Sequence, residues 1–327
     1  MGSRRHPVMN NMKVFLGQGK PSKRIDMFFK EMRINWQIMI IGLPGILFLF
    51  VFSYLPMFGI ILAFKNYYPG KGFFGSPWVG FDNFKFFFTS QTAFRVTRNT
   101  VGLNFAFIIS ELLISMIFAL ILFELSKKAT RIYQTALFFP YFTSWVVVSF
   151  ILYAFLNPDF GVANKVLVLF GLEPVFWYSE ATYWPIIMVV CYVWKWAGYG
   201  SLIYYTGLIG IETTLYEAAE IDGATKLQQI WHISVPMLSP LIIILLMTKI
   251  GQIMRADFGM FFFLPRNVGA LFPTTDVIDT YVYRSIRVNG DLGMGAAAGL
   301  YQSVMGLAIV LISNFAIRKI NSENALF

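Results

Sequence analysis

Apolar residues gather along this chain into six long runs, near residues 36–64, 99–123, 134–156, 183–205, 237–254 and 293–317. Coiled as helices at about 1.5 Å per residue, runs of this length cross the roughly 30 Å of hydrocarbon in a bilayer. The first is longer than it needs to be and is interrupted by Pro44 and Pro56, which predicts tilt or an overhang. Polar segments rich in turn residues separate the runs, and no strand-like alternation competes with them. The predicted fold class is an all-α integral membrane protein with six transmembrane helices.

Composition agrees with the pattern. The 327 residues are 57% apolar and only 13% charged, against about 25% charged in ordinary soluble domains. The single cysteine, Cys191, lies inside an apolar run, so no intramolecular disulfide is expected.

The net charge of +9 is concentrated ahead of the first run, in Arg4, Arg5, Lys13, Lys20, Lys23, Arg24, Lys30 and Arg33. Basic residues there hold a terminus in the cytoplasm and meet anionic lipid, and no zinc-ligand set or stacking platform accompanies them to suggest nucleic acid. With six spans both termini share the cytoplasmic side. Residues 1–35 then form a basic cytoplasmic segment with an interfacial helix over 25–35, residues 36–317 the spanning domain, and 318–327 a cytoplasmic tail.

Between the fourth and fifth runs a short link would suffice, yet residues 213–236 read as a helical hairpin. Thr214 and Glu217 have the spacing of a capping box. Gly223 supplies the positive φ that ends a first helix after Asp222. Ala224, Leu227, Ile230 and Trp231 recur at helical spacing as one apolar face of a second helix, and Pro236 is expected to stop it.

Glu217, Ala218 and Ala219, then Gly223, Ile233 and Pro236, match the EAA signature of the membrane subunits of binding-protein-dependent ATP-binding-cassette importers, with Val235 where leucine is usual. The chain therefore resembles a permease of that family, and the resemblance makes 213–236 the cytoplasmic coupling-helix hairpin. It implies ATPase docking through Glu217, Ala218, Ala219, Asp222, Gly223, Ile233 and Pro236. It also implies as partners a cytoplasmic ATPase dimer carrying ATP-Mg, a second, related permease subunit, an extracytoplasmic solute-binding protein and a carbohydrate, all at a bacterial plasma (inner) membrane. No cofactor is expected on this chain. The run from Trp78 to Phe84 (WVGFDNF) and residues 54–68 further resemble permeases for complex oligosaccharides and polysaccharide fragments, alginate importers included.

Three ionisable residues fall well inside apolar runs: Glu111, Lys195 and Lys249. A lone charge in hydrocarbon costs several kcal/mol, so each needs a partner or water. One reading pairs Glu111 with one lysine and gives the other to the carbonyls of a broken helix. The other reading makes Trp194, Lys195, Trp196, Lys249 and Glu111 the lining of a substrate path, with indole faces for sugar rings and a surplus positive charge for an acidic glycan.

No catalytic or metal-binding set is visible, and no GxxxxGK[ST] loop is present to hold ATP. A non-catalytic transport subunit is therefore expected. A secondary carrier or channel for small polar solutes is the alternative.

Overall fold

The computed structural model describes residues 33–288 and 290–320, so the basic segment 1–32, most of the expected interfacial helix and the end of the tail lie outside the described residues. The chain divides into two units, Met1–Gly59 and Ile60–Phe327. In the described part of the first, α1 (Trp36–Leu49) passes Pro44 without interruption and continues into a π turn, Phe50–Tyr54. The apolar side chains of this helix and turn are exposed nearly all round, as in Ile41, Phe48 and Phe52. Such a surface is stable only in an apolar solvent.

The second unit is a helical bundle. Its main elements are α2 (Asp82–Thr89), α3 (Gln91–Glu124), α4 (Lys127–Phe138), α5 (Trp145–Leu156), α6 (Val162–Leu169), α7 (Trp184–Ile209), α8 (Thr213–Ile221), α9 (Lys226–Gln229), α10 (Val235–Ile250), α11 (Phe258–Phe263), α12 (Ile278–Arg287) and α13 (Leu292–Ile320). An isolated bridge between Lys65 and Trp78 is the extended pairing seen among the described residues. Within the WVGFDNF run, Asn83 donates to the carbonyls of Ala63 and Lys65 at 2.9 and 3.0 Å, fixing the loop against the end of the first span.

Among the described residues, five helices are long and apolar enough to span a membrane, Met39–Phe64, Gln91–Glu124, Ala181–Ile209, Lys226–Ile250 and Leu292–Lys319. The apolar run expected as a straight third span is instead broken. Lys127–Phe142 and Trp145–Leu156 meet at 97°, and count as a sixth span only together. Pro140 removes a backbone donor at the end of the first arm. Ser144 then restarts the helix, its hydroxyl accepting from the amide of Val147.

Of the three prolines expected to interrupt helices, Pro44 and Pro236 do not. Pro236 lies in the first turn of α10, directly after a π turn over Ile230–Ser234, and the helix runs on from Lys226 to Ile250. The widened turn absorbs the missing amide. At Pro56 the expected interruption is seen: the π turn ending at Tyr54 gives way to a 3-10 helix over Leu55–Phe64.

The core has two parts. One joins α3, α7 and α10 through Ile108, Leu112, Tyr204, Leu208 and Leu238, with Ile278 of α12. The other joins Phe107, Trp145, Trp184 and Met188 to Phe261 and Leu271, so the long segment after α10 is folded into the body. There Arg284 and Asp276 form an ion pair of 2.6 Å, and the amide of Ile278 donates to the Thr100 hydroxyl on α3. Of the small residues near the start of α13, Gly295 receives Ile286 of α12, whereas Gly299 has open space around it.

Candidate functional site: a capped hairpin and a polar cavity

The hairpin is built by two local signals placed back to back. At the end of α8 the amide of Ala224 reaches the Ala219 carbonyl at 2.9 Å and that of Gly223 the Glu220 carbonyl at 3.1 Å, with Gly223 at φ 79°. This is a Schellman closure, which needs a residue that tolerates the left-handed region. Thr225 then caps α9: its hydroxyl accepts from the Gln228 amide, and its own amide donates to the Gln228 side chain at 2.7 Å.

The capping box expected at Thr214 and Glu217 does not form, because α8 already begins at Thr213 after Glu212, with no side-chain cap. Thr225 and Gln228 have the same spacing, and their position just past Gly223 was the better signal.

Contacts within the hairpin and to the end of α3 hold it in place. The hydroxyls of Tyr216 and Ser234 are 2.9 Å apart. The Tyr216 ring packs on Phe123. Lys226 pairs with Glu220 at 2.7 Å and approaches Glu124, the last residue of α3, at 4.0 Å. The hydrogen bond and charge of Lys226 hold the Glu220 carboxyl below its ordinary range.

Glu217, Ala218, Asp222, Gly223 and Pro236 are exposed, while Ala219 and Ile233 are partly buried. Ala219, Asp222, Gly223 and Ile233 line a notch of about 340 Å³ between the two short helices, whereas Glu217 stands outside it. The large residues of the second helix's apolar face are open: Leu227 is 65% and Trp231 62% exposed, and Ile221 on α8 is 86% exposed.

Inside the bundle the structure separates the three intramembrane charges. Glu111 on α3 and Lys249 form an ion pair at 2.8 Å, and Ser115 links the Glu111 carboxylate to the Ala197 carbonyl of α7. Lys249 is not at mid-helix, as the limits of the apolar run suggested, but in the last turn of α10.

Lys195 is buried and points at the break in the third span. It donates to the carbonyls of Tyr141, at 2.9 Å, and Thr143, and lies over the Trp145 ring. Carbonyls freed by a broken helix carry partial negative charge, and an ammonium group satisfies them.

Beside the ion pair lies a cavity of about 350 Å³. Its aromatic walls are Phe107, Tyr192, Trp196 and Tyr199; its polar groups are Asn104, Lys249, Gln252, Arg255 and Asp257. Of the residues expected along a path, Trp196 and Lys249 line this cavity, whereas Trp194, Lys195 and Glu111 do not.

Asn104 and Arg255 were missed. Asn104 donates to the carbonyls of Ile253 and Arg255 at 2.8 and 2.9 Å, holding the turn after α10 against α3. Arg255 directly follows the fifth apolar run, and the fold returns it to the lining of the cavity.

A membrane bundle that places an aromatic and charged cavity at one end of a long helix, and an exposed capped hairpin at its other end, is a transport protein. The chain belongs to the family of binding-protein-dependent transport system inner membrane components, whose model matches residues 111–322. It is 34% identical to Protein LplB of Bacillus subtilis (strain 168), across 89% of this chain and 91% of that one. It is 31% identical to the polygalacturonan/rhamnogalacturonan transport system permease protein YteP of the same organism, across 93% and 94%. Among solved structures it resembles a chain of a bacterial ABC transporter involved in the import of the acidic polysaccharide alginate, with TM-score 0.82, 32% identity and coverage of 90% and 99%.

Proposed function

We propose that this chain is the permease subunit of an ATP-driven importer that takes up oligosaccharide or polysaccharide fragments bearing carboxylates. An extracytoplasmic solute-binding protein delivers the glycan, and ATP with magnesium is held by a cytoplasmic ATPase dimer. A related permease completes the path, and both termini of this chain face the cytoplasm. The similarity to permeases for pectic polymers and to the alginate transporter supports an acidic glycan. In the cavity Arg255 is the cation left to meet a carboxylate, since Lys249 is neutralised by Glu111 and Asp257 on the same lining accepts from Trp145 and the Met260 amide.

One observation carries the mechanism. The second hairpin helix and the fifth span are a single rod from Lys226 to Ile250, about 37 Å at 1.5 Å per residue. Its lower end lines the hairpin notch and its upper end presents Lys249 to the cavity. A push delivered at Ala219, Asp222 and Gly223 therefore shifts the Glu111–Lys249 contact, and with it the walls that face the glycan. Glu217, exposed beside the notch, is placed to make the charged contact with the ATPase.

The test is isolation of the protein from its native membrane, followed by assay of glycan-stimulated ATP hydrolysis. An ATPase dimer should accompany the chain, and Glu217→Lys should abolish stimulation while membrane insertion is unchanged. Full transport in liposomes by this chain without an ATPase would overturn the proposal in favour of a secondary carrier.

A further inference from the structure

At the end of α3 remote from the hairpin, two arginines stand one turn apart, neither paired with an acid among the described residues. The Nε of Arg95 is buried without a hydrogen-bond partner, and Arg98 donates only to Asn99 and to the Pro273 carbonyl. Both line a cavity of about 880 Å³, and Arg98 also closes the top of a second, almost wholly apolar groove of about 510 Å³.

The groove runs between α3 and α7, lined by Gly102, Leu103 and Ala106 on one side and Ile186, Val189 and Val190 on the other. Arg98, Gly102 and Ala106 share one helix face, so Gly102 lies about 6 Å and Ala106 about 12 Å deeper than Arg98 along the axis. Gly102 has open space where a side chain would stand, and Ile186 and Val190 are exposed. Cationic groups sit at one end, then, and an apolar channel leads from them toward the bilayer centre.

We infer that this groove and the arginine pair bind one anionic phospholipid from the leaflet opposite the hairpin. The phosphate meets Arg95 and Arg98, and an acyl chain lies along Gly102, Ala106 and Val190. A soluble sugar chain would have no use for the apolar channel, and a lipid uses both halves. Because α3 and α7 also hold Glu111, Ser115 and Lys195, the bound lipid would wedge the helix pair that frames the cavity.

The complex, purified from its membrane with whatever subunits accompany it, is stripped with detergent. It is then re-exposed to phosphatidylglycerol or phosphatidylcholine and weighed by native mass spectrometry. Phosphatidylglycerol should be retained in preference. Arg95→Gln and Arg98→Gln should each lower its retention about fivefold, in line with roughly 1 kcal/mol per surface arginine, while Arg95→Lys keeps it. Gly102→Leu, which fills the groove and leaves both arginines in place, should release the lipid as well.

Equal retention of both lipids, or of phosphatidylglycerol by wild type and all variants, would refute the assignment. So would its displacement by a soluble acidic oligosaccharide, or a Gly102→Leu variant that sheds a protein subunit and not the lipid.

Discussion

Glu111 and Lys249 meet at 2.8 Å, the first almost fully buried on α3 and the second in the last turn of α10. Removing one member of such a pair strands the other charge, which typically costs about 3–5 kcal/mol, whereas replacing both by apolar residues is close to neutral. Lys249→Met should therefore lower the unfolding temperature in detergent sharply, and adding Glu111→Leu should restore most of it. Equal losses in the single and double variants would show that the pair does not hold α3 to α10.

Lys195 acts on a different element. Its ammonium group satisfies carbonyls left open at the 97° break of the third span, and each buried carbonyl left without a donor costs about 1–3 kcal/mol. In Lys195→Met the amides that follow the break, residues 145–149, should exchange with deuterium faster than in wild type, while those of α3 do not. Unchanged exchange across the break would sink this assignment.

Two glycines make opposite predictions. Gly223 needs its positive φ but has open space around it, so Gly223→Ala should cost only about 1 kcal/mol and leave a folded protein. A side chain at Gly198 would lie 1.8 Å from the Leu137 carbonyl oxygen, and backbone cannot yield as a flexible side chain does. Gly198→Ala should therefore prevent α7 from seating on the third span and abolish recovery of folded protein from membranes. Comparable yields for the two variants would contradict the packing described.

These contrasts show what the residue pattern could and could not reveal. Long apolar runs, the turn at Gly223 and the placement of Glu111 and Lys195 inside their helices follow from local chemistry, whereas Lys249 lies in the last turn of its helix and the third run is bent. Partnership is not local. The reading that pairs Glu111 with one lysine and gives the other to a broken helix's carbonyls holds. Which lysine takes which partner, and that the carbonyls are those of Tyr141 and Thr143, depends on how α7 packs on the third span. The prolines misled for a related reason. Pro236 reads as a stop unless the π turn before it is known, and nothing in residues 230–234 announces a widened turn. Arg255 looked like loop because the apolar run ends at Met254, while its return to the cavity depends on Asn104, far away on α3.

Asp279 sets a pH dependence. Its burial pushes the carboxyl above its ordinary value of 3.8, against the pull of hydrogen bonds from the Ala256 amide and the Gln302 side chain. The folded protein thus holds this proton more tightly than the unfolded chain. The stabilisation is complete below the ordinary value and is lost as pH rises through the raised one. The unfolding temperature should carry a component that declines over that window, and Asp279→Asn, which keeps an acceptor oxygen, should remove it. A variant whose profile matches wild type would rule this out.

The proposed acidic-glycan path is tested at Arg255, the cavity cation outside an ion pair among the described residues. Lys249 already spends its charge on Glu111, so its loss should damage stability more than discrimination. Arg255 is exposed at the same cavity outside an ion pair among the described residues, with Asp257 on the same lining and Asp279 within reach of its charge, and Asn104 holds its backbone in place. A hydrogen bond to a charged group contributes about 1.5–3 kcal/mol, so Arg255→Met should weaken uptake of a uronate oligosaccharide by about tenfold or more. A neutral oligosaccharide of equal length should be transported nearly as before, since the rings of Trp196, Tyr192 and Tyr199 remain to stack on it. Competition between the two substrates in proteoliposomes containing the whole complex measures the ratio directly. If acidic and neutral chains lose uptake in equal proportion, Arg255 shapes the path without reading charge, and the preference for carboxylates would have to lie in another subunit.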